Sequence, residues 1–204
     1  MVILGAGGHA KVVLATALDA GFSVAAFLDE DPGKWGGSVL GVPVRGGFEL
    51  LKSGRGLSQA VVAIGDNQAR KRIADSYDRC CEWVTLVHPS AYVHRSVVLG
   101  RGTVVFAGSC IQPEAVIGDH VIVNTGATID HDCRIGDFCH LAPGVHLGGN
   151  ITAAEGTFLG IGSRVIPGSM IGEWSVIGAG SAVIRDVPRL SRVAGVPARQ
   201  IRKE

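Results

Sequence analysis

Aromatic side chains are scarce: Phe, Trp and Tyr make up 5% of the 204 residues. A core of large rings, or a conventional helical bundle, is poorly served by that supply. Thirty glycines beside a 47% hydrophobic fraction suit a repetitive β architecture better. Excess charge is missing too. The balance is +1, so no electrostatic footprint argues for nucleic acid as a partner. No apolar run approaches the roughly 20 residues of a membrane span. The opening MVILGAGGHA enters a strand at once, without the basic stretch or cleavage site of an export leader. The five cysteines (Cys80, Cys81, Cys110, Cys133, Cys139) are odd in number and hold no C-x-x-C pair, unlike a zinc or disulfide framework. Small buried thiols in a reduced, cytoplasmic protein are the expectation.

What is present falls into two grammars. Residues 1 to 86 read as α/β. VILGAG is a short strand entering a Gly-rich loop. From Ala10 the apolar residues take helical spacing and stop at Gly21. FSVAAFLDED is a second strand ending in acid, AVVAIGDN a third, and NQARKRIADSY a second helix. Strand–helix–strand with short links implies a parallel sheet. The length allows about one mononucleotide-binding half of a dinucleotide fold.

From Ala91 to Asp186 the chain divides into sixteen hexads without a slip. Fifteen of the sixteen third positions are Val, Ile or Leu, and the other is Ala153. A helix cannot keep a period of six on one face, because 3.6 does not divide it evenly. A parallel β-helix can: each hexad is one short side, its aliphatic points inward, and three sides close an 18-residue coil. Gly100, Gly118, Gly136 and Gly172 stand at multiples of 18, with Ala154 in the gap. One corner is therefore small on nearly every coil. Residues 87 to 204 are expected to form this second domain.

An 18-residue coil also stacks residues 18 apart, at roughly 4.8 Å. That sets Gly149 beside His131 on one side and Pro113 on the other. Position five of a hexad faces outward, so His131 is expected on the surface, next to a residue without a side chain. Asp130 and Asp132 flank it and favour imidazolium, which strengthens the base. A metal reading of D-H-D-C with His140 and His146 fails, because the spacing fits no ligand frame. His88, His94, His120 and His146 carry no functional expectation.

The hexads resemble the left-handed β-helix of hexapeptide-repeat acyltransferases, and the tail VAGVPARQI resembles the segment that closes those domains. G-A-G-G-H-A-K (Gly5 to Lys11), A-I-G-D-N (Ala63 to Asn67) and N-T-G-A-T-I-D-H-D-C (Asn124 to Cys133) narrow the resemblance to the NeuD/PglD-type sugar acetyltransferases. It implies a Rossmann-like half domain followed by a left-handed β-helix, assembled as a homotrimer with active sites between subunits. It implies acetyl-CoA as co-substrate, no metal, and a nucleotide-linked amino sugar as acceptor. The implied activity is N-acetylation of the C4 amine of an amino-dideoxy sugar. His131 becomes the general base, Asp132 its partner, and Gly149 the donor of an oxyanion-binding N–H. The coenzyme contacts become His140, Ile161 and Ala179, the last standing where relatives commonly have Gly. Gly7, Gly8 and His9 fall to the diphosphate and sugar, Asp29 and Glu30 to the nucleoside, and Gly65 to the end of the third strand.

Two other functions stay open at this point. One is O-acetylation of a sialic acid or related sugar by the same base. The other is a non-catalytic nucleotide-sugar or NAD-binding module. Gly5-Ala6-Gly7-Gly8-His9-Ala10 with Asp29 fits a dinucleotide fingerprint, but the second half of such a domain is missing.

Overall fold

The computed structural model describes residues 1–53 and 58–201. The N-terminal part is a six-stranded sheet. In chain order it holds β1 (Val2–Leu4), α1 (Gly8–Asp19), β2 (Ala26–Leu28), β3 (Ser38–Val39), β4 (Val42–Gly46), β5 (Gln59–Val62), α2 (Asn67–Tyr77) and β6 (Glu82–Trp83). Across the sheet the order is β3-β4-β2-β1-β5-β6. The pairs β1–β2, β1–β5, β2–β4 and β5–β6 are parallel, and β3–β4 is an antiparallel hairpin. Helix α1 begins at Gly8, two residues ahead of the expected start, because Gly7 takes an extended N-cap conformation. The β3–β4 hairpin had no sequence signal. Its turn puts Leu40 and Gly41 at φ 48° and 84°, a pair of positive angles usually announced by Asn-Gly.

The rest of the chain is a triangular parallel β-helix. Its first side runs from Leu86–Val87 through Val104–Val105, Ile122–Val123, His140–Leu141, Phe158–Leu159 and Val176–Ile177 to Arg192–Ala194. The second side contains Thr128–Ile129 and the third Arg134–Ile135. Partners such as Ile122 and His140 are 18 residues apart. The ladder begins at Leu86, which pairs with Val104, one hexad before Ala91. At the far end Val176 pairs with Arg192, so the last coil is two residues short. The closing tail folds back as Arg199–Gln200 against Arg192–Ala194.

From Val105 to Val183 the third-position residues are all buried. The small first positions are buried beneath them, and most of their hydroxyls and thiols find carbonyls, while Ser163 Oγ is buried without a partner among the described residues. Thr103 Oγ1 donates to Gly118 O, Ser109 Oγ to Asn124 O, and Cys139 Sγ to Ala154 O. Thus most polar first positions keep their hydrogen bonds inside the core, with Ser163 the exception among the described residues. All five cysteines are free, but only Cys133 and Cys139 are buried. Cys80, Cys81 and Cys110 are half-exposed, a correction to the expectation for them, since they lie off the inward positions. The corners are made at position six: every hexad from Gly102 to Gly180 has a positive φ there. Eight of those fourteen residues are glycine; Glu114, His120, Asp132, Phe138, Asn150 and Trp174 take the same conformation with a side chain.

The two parts share a core. Ala10, Val13, Leu14 and Ala17 of α1 pack with Leu86, Val104, Phe106 and Ile122 on the outer surface of the first side. The N-terminal sheet is therefore seated on one side of the triangle, and His131 stands at the corner between the other two.

Candidate functional site

The His131 corner is built by the turn geometry. Asp132 occupies position six with φ 61°, and this brings its carboxylate back to its neighbour. Asp132 Oδ2 lies 2.7 Å from His131 Nδ1. Asp130 Oδ1 accepts the His131 backbone N–H at 2.9 Å. The ring rests over the next coil: a Cβ placed on Gly149 would lie 2.6 Å from His131 Cε1 and 2.7 Å from Nε2. The predicted juxtaposition of His131, Asp132 and Gly149 is thus present. Among the described residues nothing bonds to Nε2, and the Gly149 N–H donates to no protein acceptor. The side chain is 60% exposed. The hydrogen bond that Asp132 accepts holds the imidazole pKa above its ordinary value, and the charges of Asp130 and Asp132 act in the same direction. With Nδ1–H directed at Asp132, the neutral ring presents its lone pair at Nε2.

A second cluster forms where the N-terminal sheet meets the first side of the coil. Gly65 O lies 3.2 Å from His140 Nδ1, and Asn124 Nδ2 lies 3.2 Å from His140 Nε2. Those partners define a neutral ring with its proton on Nδ1. His140 is 8% exposed, and burial, then the nearby Arg70, pulls its pKa down to about 4. The His9 ring is 6.2 Å from it and edge-on to Phe106. Burial first and Arg70 second take His9 to about 4 as well, and its Nε2 is buried without a partner. His9, Gly65 and His140 are therefore neighbours.

Gly7 and Gly8 lie at the start of α1, where a Cβ would meet nothing within 4 Å and no side chain caps the helix. A helix N-terminus left open in this way suits an anion. Gly5 differs: at φ 102° a Cβ would strike Ile64. Asp29 accepts from Ala6 N, Asp31 N and Lys34 Nζ at 2.7, 3.0 and 2.9 Å. It thus braces the loop with both oxygens. Glu30 is exposed and gives one oxygen to Phe48 N at 2.9 Å. With Asp29, Phe48, Ile64, Ile73 and Tyr77 it lines a cleft of about 360 Å³.

Ile161 and Ala179 stack at the corner between the first and second sides, with Gly180 N–H donating to Ile161 O at 2.7 Å. Among the described residues their own N–H groups donate to no protein acceptor, and Ile161 is 61% exposed. The sequence reading missed Asn67, Arg70 and the use of Asn124. A signal for the first two existed: Asn67, Arg70, Ala74 and Tyr77 are buried at helical spacing on one face of α2. Among the described residues no group of three or more His, Cys, Asp or Glu is placed to hold a metal. None of their helices is long and apolar enough to cross a membrane.

Residues 1–77 match the PglD N-terminal domain, and residues 114–149 match the bacterial transferase hexapeptide (six repeats). The structure superposes on PerB from Caulobacter crescentus, solved with CoA and GDP-perosamine. The TM-score is 0.93 at 47% identity, covering 98% of this chain and 96% of that one. The acetyltransferase domain of PglB from Neisseria gonorrhoeae, solved also with acetyl coenzyme A, gives a TM-score of 0.90 at 37% identity over 98% of both chains. A putative acetyltransferase of Schizosaccharomyces pombe is 43% identical over 60 residues, only 29% of either chain.

Proposed function

Because the chain belongs to the PglD-type family of hexapeptide-repeat sugar acetyltransferases, with an N-terminal Rossmann-like part and a left-handed β-helix, we propose that it moves the acetyl group of acetyl-CoA onto the C4 amine of a nucleoside diphosphate-linked amino-dideoxy sugar. GDP-perosamine, the ligand of the Caulobacter protein, is the first acceptor to test. The observation that carries this reading is the His131 corner: a histidine tied through Nδ1 to Asp132, open at Nε2, and set over Gly149.

In the reaction the sugar nitrogen attacks the thioester carbon. His131 Nε2 takes the proton that nitrogen loses, as a positioned base near neutral pH can. Asp132 keeps the ring in the required tautomer and stabilises the imidazolium. The free Gly149 N–H receives the oxygen that becomes negative as the carbon turns tetrahedral. Collapse breaks the carbon–sulfur bond, and the proton held on His131 passes to the departing thiolate. The N–H groups of Ile161 and Ala179, with His140, hold the coenzyme. Gly7, Gly8, His9 and Gly65 hold the diphosphate and sugar. Glu30 meets the nucleoside, with Asp29 acting by fixing the loop.

The functional unit is a homotrimer. Support for this comes from the separation of the two clusters within one chain: the nucleotide loop lies over the first side of the coil, and His131 lies at the opposite corner. A second copy supplies the missing half of each site. The protein works in the cytoplasm, where acetyl-CoA and nucleotide sugars are available. Thiol release from acetyl-CoA with a panel of GDP-, UDP- and dTDP-linked 4-amino sugars tests the assignment. Acetylated product from one of them is the expected result; turnover with hydroxyl acceptors alone would overturn it.

A further inference from the structure

A buried cation that pairs with no carboxylate among the described residues sits where the two parts of the chain meet. Arg70 is 1% exposed. Its Nε donates to His120 O at 2.8 Å, and Nη1 donates to Ile64 O and Gly65 O at 3.0 and 3.3 Å. Nη2 donates to Asn67 Oδ1 and Phe138 O at 2.8 Å each, and to Cys139 O at 3.3 Å. All six acceptors are carbonyl oxygens. A buried charge is costly unless its surroundings compensate, so the position demands a geometric reason for arginine.

The corner of the coil provides one. His120, Phe138 and Gly156 are stacked position-six residues with φ of 53°, 57° and 69°. In that conformation their carbonyls leave the ladder, and among the described residues none of the three accepts a backbone N–H. Buried carbonyls left unpaired would carry their full desolvation penalty. The planar fork of Arg70 reaches the first two. Asn67 Nδ2 donates to the third at 3.0 Å and to Thr157 O at 3.3 Å. The same fork reaches back to Gly65 O, the atom that faces His140 Nδ1. One guanidinium therefore joins two coils, the loop after β5 and, through Gly65, the orientation of His140.

We propose that Arg70, assisted by Asn67, is a positioning residue for acetyl transfer: it fixes the Gly65 carbonyl against His140, so that His140 is held as its Nδ1–H tautomer between the nucleotide loop and the coil. This rests on the assignment of Gly65 and His140 to the sugar and coenzyme sites. Lysine cannot substitute, because its three donors radiate from one atom and cannot span carbonyls on both sides of a plane.

The test uses the full-length protein with Arg70→Lys and Asn67→Ala. Long-range ¹⁵N–¹H spectra of the imidazoles report the His140 tautomer without any sugar present. Steady-state kinetics report KM for acetyl-CoA and for the acceptor separately. In the wild type a single Nδ1–H tautomer is expected. In folded Arg70→Lys the two tautomers mix and both KM values rise by about tenfold, with kcat falling less than about threefold. Asn67→Ala shows the same pattern at about a third of the size, and it decides the matter if Arg70→Lys does not fold. An unchanged His140 tautomer with both KM values at the wild-type level would reduce Arg70 to a structural staple and overturn the proposal. So would a loss confined to kcat. A wild-type protein that acetylates no sugar amine would remove the functional reading, while the tautomer comparison would still judge Arg70.

Discussion

Gly149→Ala adds one methyl group where the structure leaves no room for it. The new Cβ would stand 2.6 Å from His131 Cε1, 2.7 Å from Nε2 and 3.2 Å from Nδ1. Carbon atoms in comfortable contact are about 3.5 Å apart or more, so the ring must retreat by about 0.9 Å. The backbone at Gly149 is not left-handed, so alanine introduces no strain there. It removes freedom from the unfolded chain, a gain of about 0.4–1 kcal/mol. Turning His131 off its rotamer costs about 0.5–1.5 kcal/mol, and the exposed ring has solvent to move into. Net stability should therefore change by less than about 1 kcal/mol. Catalysis should suffer far more. A displacement of about 1 Å in a reacting group costs on the order of 10²-fold in rate, near 2.7 kcal/mol of barrier. The assay is kcat by thiol release, beside a melting curve on the same preparation. A folded Gly149→Ala protein with kcat within about threefold of wild type would refute both the base assignment and the packing argument.

His131→Ala should keep coenzyme binding by calorimetry and lose about 10² or more in kcat; a variant with wild-type turnover at neutral pH would remove His131 from the mechanism. Asp132→Asn tests the pH profile. Asp132 raises the His131 pKa above 6.5, so the wild-type base must lose its proton above that value and the acid limb of kcat/KM lies correspondingly high. The variant should move that limb to lower pH and lower the plateau, and an unmoved limb would show that another group sets it. Ile129→Ala, at a fully buried third position, should cost about 2–5 kcal/mol by denaturant titration; a loss under about 1 kcal/mol would contradict the stacked core.

The coil was legible because its rule is one-dimensional. A residue's position modulo six says whether it points inward, and modulo 18 says what lies beside it. That is why His131 and Gly149 could be paired without coordinates. The finer geometry of the pair was not legible. Nothing in the letters D-H-D says that position six is left-handed and turns the Asp132 carboxylate, and not that of Asp130, onto Nδ1. The second cluster was less legible still. His140 sits at an outward position, and only the sheet leaning on that side buries it. Arg70 lies in the run N-Q-A-R-K-R, which reads as a solvated basic helix until the spacing of Asn67, Ala74 and Tyr77 is counted with it. Leu40 concealed a hairpin in the same way, by holding a conformation its type rarely adopts.

The shared core between α1 and the first side of the coil bears on how such proteins can be recombined. Val104, Phe106 and Ile122 lie in the repeat and Leu86 just before it, yet all four pack with the sheet and helix that precede it. A cut in the chain near residue 86 therefore does not separate two independent parts. A transplanted N-terminal half would arrive without its seat, and the coil left behind would present an apolar face to water. The heritable module is a surface rather than a segment: the first half of the chain together with the outward residues of every third hexad it covers. Exchange of acceptor specificity between relatives by domain shuffling must carry those scattered positions along.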